Sequence, residues 1–228
     1  MNSSDQDKVW DYYQNEQPET FSGGLGRLSF LAKMVRNQKV LNIGVGNGYF
    51  EENALKYGAD VYSLDPSDRA IERLCNRLGL GDKAKVGYSQ EIPYPSEYFD
   101  VVVISEVLEH LGEDDLLATL KEIHRVLKPS GRIIGTVPAC DDLLNQMVVC
   151  PHCGKLFHRW GHLQSFDIER LTVLLSLNFI IEKIYKRPFI TWSALNWKGK
   201  ISATAIFFLW CIGIHSSYEN IVFVVVKR

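Results

Sequence analysis

Gly44, Gly46 and Gly48 stand in the run Val40-Leu41-Asn42-Ile43-Gly44-Val45-Gly46-Asn47-Gly48. An apolar stretch that reads as a strand leads into them, and a stretch with helical periodicity follows. Glycines at such a junction allow a tight turn and let a ligand approach the backbone closely. Asp65 ends the next apolar stretch about 17 residues on, where a carboxylate can accept hydrogen bonds from two ribose hydroxyls. Loop and acid together describe a nucleoside-cofactor site; the competing reading is a structural turn and a surface aspartate. A dinucleotide loop carries its third glycine at the position held here by Tyr49, so a cofactor without phosphates suits this loop better.

A second group of residues suits a metal. Cys150-Pro151-His152-Cys153-Gly154 is followed by His158 and His162. Proline and glycine shape a turn from which two thiolates reach one ion, and Cys150, Cys153, His158 and His162 offer the four ligands of a tetrahedral zinc site. Gly161 interrupts the spacing of the histidines. Should His162 not join the other three, Cys140, His152 or water would complete the metal shell. Cysteines that bind nothing are the alternative. Glu109, His110 and His162 are the candidate general bases.

These residues need a scaffold. Strand-like runs at Val40–Ile43, Val61–Leu64, Ala84–Gly87, Val101–Ile104 and Arg132–Val137 alternate with helical segments at Tyr49–Tyr57, Ser67–Leu78 and Leu116–Leu127. Such alternation builds parallel βαβ units and an α/β fold. The unbroken run Val101-Val102-Val103-Ile104 suits a central strand covered on both faces. A helix over about Asp167–Leu177 and strands at Phe179–Tyr185 and Ile221–Val226 follow. One domain is expected over 1–228, with a Cys/His-rich insert at about 139–165 and an apolar segment at about 188–215.

Four stretches, in this order, resemble the class I S-adenosylmethionine-dependent methyltransferases, in particular their small-molecule, type 11-like branch. They are VLNIGVGNG, VYSLDPS, GYSQEIPYPSEYFDVVVISEVLEHL and KEIHRVLKPSGRIIGTVP, spanning roughly residues 38–138, with a looser match near 162–182. The resemblance implies a Rossmann-like, doubly wound, seven-stranded and mostly parallel sheet with helices on both faces and an antiparallel last strand. It implies S-adenosylmethionine as cofactor. Gly44, Gly46 and Gly48 would line its methionine and ribose side, Asp65 its ribose hydroxyls, and Pro66 and Ser67 its adenosine. Ser89 and Gln90 would lie at the adenine edge, and Ser105 and Glu106 at the methionine end and the acceptor. The family usually has a carboxylate where this chain has Asn42, and often Asp where it has Tyr88. An amide at Asn42 keeps hydrogen bonding to the cofactor side but loses a charge. Ser105-Glu106-Val107-Leu108 replaces the Asn-Pro-Pro-Tyr-like motif of amino-group methylating enzymes, which favours oxygen or carbon as the acceptor atom.

The acceptor so implied is a small molecule or a lipid- or saccharide-type compound. With 25 basic against 27 acidic residues, the chain lacks the footprint of bulk nucleic-acid binding. Five cysteines and a polar first twenty residues point to reduced thiols and the cytoplasm. Ile201–Ile214 carries no charge but is short of the ~20 residues that span a bilayer. It reads either as a helix packed on the sheet or a dimer contact, or as a peripheral membrane or lipid contact flanked by Lys198 and Lys200. A monomer and a homodimer are both compatible with the sequence. Trp10, Tyr12, Tyr13 and Phe21 read either as a second wall to the pocket or as an ordinary amphipathic helix capping the sheet. Alternatives are a non-catalytic S-adenosylmethionine-binding module, a nicotinamide-dependent oxidoreductase, and a methyltransferase acting on protein or RNA.

Overall fold

Uninterrupted aliphatic runs become the middle of a seven-stranded sheet in the structure, a computed structural model that describes residues 3–17, 20, 23–192, 195–214 and 219–228. The sheet strands are β1 (Lys39–Ile43), β2 (Asp60–Asp65), β3 (Ala84–Val86), β4 (Phe99–Ser105), β5 (Leu127–Pro138), β8 (Phe179–Arg187) and β9 (Asn220–Lys227). Their order is β3-β2-β1-β4-β5-β9-β8. Pairing is parallel from β3 through β5. Strand β9 lies antiparallel between β5 and β8, which leaves β8 running the same way as the parallel strands. A short hairpin of β6 (Met147–Val149) and β7 (Leu156–His158) stands apart.

Seven helices are described: α1 (Ser3–Glu16), α2 (Leu25–Lys33), α3 (Tyr49–Lys56), α4 (Asp68–Leu78), α5 (Glu113–Val126), α6 (Ile168–Ser176) and α7 (Trp197–Cys211). Alternate strand residues feed two cores, as the period of two requires. Leu41, Ile43, Val102 and Ile104 pack with Leu120 and Ile123 of α5 and Leu171 of α6. Val40, Val101 and Val103 pack with Leu31 of α2 and Phe50 and Ala54 of α3. Helix α4 begins at a Ser67 N-cap whose hydroxyl accepts from the Ala70 N–H at 3.2 Å, and ends at a left-handed Gly79. Helix α5 starts earlier than its apolar residues indicate, because its first turn is acidic (Glu113, Asp114, Asp115), where carboxylates favour a helix N-terminus.

Gly135 of β5 is fixed by packing. A Cβ there would overlap the Phe223 ring and the Ile104 carbonyl, and both neighbours are held in the core. Gly135→Ala is expected to cost about 1–3 kcal/mol of stability, read as a lower urea midpoint with an unchanged slope.

The apolar C-terminal segment does not form a helix packed on the sheet. In α7 only Ala203 is buried, while Trp197, Ile201, Phe208 and Ile212 are more than half exposed. The residues are apolar all round, so no single face is selected for burial. The helix is tethered at one end, where the Trp210 indole N–H donates to the Lys186 carbonyl at 2.8 Å. Lys186 lies at the C-terminal end of β8, so α7 stands at the end of the sheet from which the β1 and β4 loops emerge. Among the described residues no helix is long and apolar enough to cross a membrane.

Candidate functional site

Strand order reverses at β1, whose neighbours β2 and β4 leave in opposite directions, and ligands of open α/β sheets bind at the strand C-terminal ends beside such a point. A cavity of about 220 Å³ lies there. Its floor is the turn Gly44–Asn47, with Asp65 and Pro66 after β2, Tyr88, Ser89 and Gln90 after β3, and Ser105, Glu106 and Val107 after β4.

The turn has its shape for a steric reason. Gly44 has φ +86°, and a Cβ on it would meet the Val107 side chain at 2.8 Å. Asp65 is buried and fixes the turn from below. Its Oδ2 accepts from the Val45 N–H at 2.8 Å and from the Gln14 amide at 3.1 Å, and its Oδ1 accepts from the Ser67 N–H at 2.9 Å. Burial pushes its carboxyl upward, against the lowering effect of those donors.

Of the residues read as cofactor-binding, Gly44, Gly46, Asp65, Pro66, Ser89, Gln90, Ser105 and Glu106 line the cavity. Asn42, Gly48 and Ser67 do not. Asn42 is buried beneath the turn, donating to the Gly44 carbonyl at 3.1 Å and to Glu51 Oε1 at 2.7 Å. Gly48 is the left-handed N-cap of α3, and Ser67 is spent on capping α4. The sequence reading missed Glu51. It is fully buried on α3, accepts also from the Ser63 hydroxyl at 3.0 Å, and is pushed by burial from 4.5 up to about 7. The carboxylate absent at Asn42 thus enters the space beneath the turn from α3.

Trp10, Gln14, Arg27, Leu28, Asn47 and Asp115 also line the cavity. Of the expected aromatic wall, Trp10 does so, packing edge-on against His110 with centroids 4.5 Å apart. Tyr13 packs on Trp160 instead and Tyr12 is half exposed; Phe21 lies outside the described residues. Glu106 holds a left-handed φ of 56°. Its carboxylate accepts from Thr136 at 2.9 Å and from Asn220 at 3.0 Å, and faces the Arg27 guanidinium at 3.7 Å.

The candidate bases divide in two. His110 lines the cavity, whereas Glu109 and His162 lie behind it. Burial, with His162 and His158 nearby, pushes His110 down to about 3; burial, with Glu106 nearby, pushes Glu109 well above the carboxylate range.

The expected four-ligand site at Cys150, Cys153, His158 and His162 is not assembled. The two cysteines stay on the turn of the β6–β7 hairpin, where the Gly154 N–H donates to the Cys150 carbonyl at 2.9 Å. His158 and His162 stack with centroids 4.6 Å apart and turn to Asp141, whose Oδ2 is 2.5 Å from His162 Nδ1. Among the described residues no group of three close ligand atoms includes a cysteine. Gly161, left-handed at φ 74°, bends the chain so that His162 folds back onto His158.

The charges around the cavity distinguish S-adenosylmethionine from a dinucleotide. Among the described lining residues, Asp65, Glu106 and Asp115 face Arg27, itself beside Glu106. The first turn of α3 carries Glu51 and Glu52 and no basic residue, so it gives a phosphate no side-chain partner. A cationic, phosphate-free nucleoside fits; a pyrophosphate does not.

Comparison with known proteins agrees. Residues 41–135 match the model of a methyltransferase domain family. The chain is similar to an uncharacterized protein of Methanocaldococcus jannaschii, with 28% identity over 78% of this chain and 82% of that protein. It is similar to the mitochondrial ubiquinone biosynthesis O-methyltransferase of Schizosaccharomyces pombe, with 33% identity over 63% of this chain and 60% of that enzyme. The chain therefore spans less than two thirds of that enzyme's length. Its fold is similar to that of the Burkholderia thailandensis 1,6-didemethyltoxoflavin N1-methyltransferase, solved with S-adenosylhomocysteine. The TM-score is 0.65 with 20% identity, covering 97% of this chain and 86% of that one. Residues 41–135 thus match a methyltransferase domain, on a sheet and helices with the fold of solved methyltransferases.

Proposed function

We propose that this chain transfers the methyl group of S-adenosylmethionine to an oxygen of a small or lipid-linked acceptor. One observation carries the reading: a single cavity joins the nucleoside end, at Asp65 and the Gly44–Asn47 turn, to an end lined by Ser105, Glu106 and His110. S-adenosylmethionine supplies a methyl already activated on a sulfonium. The chain's own residues must hold the acceptor in line with it and exclude water. Thr136 and Asn220 hold Glu106, so its carboxylate would be positioned in advance for a cationic donor bound in the cavity. Trp10 and Leu111 supply apolar walls. Likeness to several ubiquinone biosynthesis O-methyltransferases, beside one ubiquinone/menaquinone biosynthesis C-methyltransferase, supports oxygen as the acceptor atom.

Calorimetric titration with S-adenosylmethionine and with NADH tests the cofactor, and transfer of a labelled methyl to a panel of phenols, quinols and saccharides tests the acceptor. Micromolar binding of the first alone, with label in an ether, is the expected result. No heat with S-adenosylmethionine or S-adenosylhomocysteine overturns the reading.

The exposed α7 supports a lipid-linked acceptor. A peripheral helix with apolar residues and Lys198 and Lys200 at its start suits an anionic bilayer surface. Flotation with phosphatidylglycerol vesicles is expected to carry the protein upward, and Ile201→Asp with Phe208→Asp to reduce the floated fraction at least five-fold. Equal flotation of both proteins removes this part of the proposal.

A further inference from the structure

Behind His110, a carboxylate oxygen of Glu109 and one ring nitrogen each of His110 and His162 lie within 4.8 Å of one another. Glu109 is 1% exposed, yet neither of its oxygens has a hydrogen-bond partner. A buried polar group in that condition costs free energy unless something pairs with it.

The surrounding hydrogen bonds fix the tautomers. His110 Nδ1 is 3.2 Å from the Gly161 carbonyl, which only accepts, so the proton is on Nδ1 and the lone pair on Nε2. That Nε2 is 3.9 Å from Glu109 Oε1. His162 Nδ1 is 2.5 Å from Asp141 Oδ2; with the proton there, its lone pair is also on Nε2. Metal-bound histidines are held in this way, the second ring N–H given to a carbonyl or a carboxylate.

We infer that Glu109, His110 and His162 bind a divalent transition-metal ion such as zinc, with Asp141 and the Gly161 carbonyl orienting the two imidazoles. The neighbouring group Asp141, His158 and His162 is not the site. His158 Nδ1 accepts the His162 backbone N–H at 3.1 Å, so its proton is on Nε2, facing Asp141 at 3.7 Å, and it has no lone pair to give an ion there. Ligands about 2.0–2.1 Å from a tetrahedral ion stand about 3.4 Å apart, so binding draws the three atoms together by at most about 1.4 Å. Two histidines and one glutamate leave the fourth position open, as in catalytic rather than structural zinc sites. A water in that position would lose its proton more readily and supply a base behind His110. This use of the ion rests on the transfer reading; its binding does not.

The test is titration of the full, chelator-treated chain with Co²⁺ and Zn²⁺, followed by visible absorption and calorimetry. One ion per chain is expected, with cobalt d–d bands and no thiolate charge-transfer band. Glu109→Gln and His162→Ala are expected to weaken binding 100-fold or more, and Asp141→Asn 10- to 100-fold. The double variant Cys150→Ser, Cys153→Ser is expected to bind as the parent does. Melting curves identify any variant that fails to fold, in which case Asp141→Asn, outside the ligand set, decides. S-adenosylmethionine titration of the same variants is expected to be unchanged, which separates failure of the metal site from failure of the cofactor reading. No cobalt binding overturns the inference. So does binding that survives Glu109→Gln and His162→Ala, or binding with a thiolate band that the cysteine double variant abolishes.

Discussion

Asp65→Asn is expected to weaken S-adenosylmethionine binding by 100-fold or more. A hydrogen bond to a charged group contributes about 1.5–3 kcal/mol, and a ribose diol makes two with one carboxylate. Their loss corresponds to about 3–6 kcal/mol, or roughly 10²- to 10⁴-fold in affinity. The amide cannot replace the carboxylate, because Val45 N–H and Ser67 N–H already donate to its two oxygens. One of these donors must then face an NH2 group. The same clash lowers stability, so a melting curve accompanies the calorimetry. Gln14 also donates to Oδ2, and the entering hydroxyls share or replace that bond; Gln14→Ala is therefore expected to change affinity less than ten-fold. A folded Asp65→Asn protein that binds as tightly as the parent would exclude Asp65 as the ribose acid.

The second large effect is a pH dependence of stability set by Glu51. Its folded pKa is raised from 4.5 to about 7, with burial the largest cause. Between those values the folded chain keeps a proton that the unfolded chain has lost. This group therefore makes stability fall as pH rises from about 4.5 to about 7, and adds no slope on either side. At about 1.4 kcal/mol per pH unit the fall amounts to about 3 kcal/mol. Gln is a close mimic of the protonated acid: its carbonyl can accept from Asn42 and Ser63, and its NH2 takes the place of Oε2, which has no partner. Glu51→Gln is expected to gain about 3 kcal/mol on the parent between pH 4 and pH 8 in urea unfolding. A constant difference between the two proteins across that range would show that Glu51 ionises normally.

The sheet was legible in the sequence because its signals are local. Val101–Ile104 reads as a central strand from its unbroken β-branched run, and α4 from the helical spacing of Ala70, Ile71, Leu74 and Leu78. Gly44 and Asp65 were legible because a tight turn and a strand-end carboxylate leave marks at fixed spacing. Other features depend on which distant segments meet. Nothing local says that β9 runs between β5 and β8, or that Glu51 supplies from α3 the acid missing at Asn42. Gln14 and Trp10 reach the cavity only because α1 packs over the strand ends. The cysteine–histidine string suggested one tetrahedral site. The left-handed Gly161 separated it, sending His162 to Asp141 and leaving the cysteines on their hairpin. Spacing determines what a short segment can present; burial and the partners brought by the fold decide which of those groups face each other.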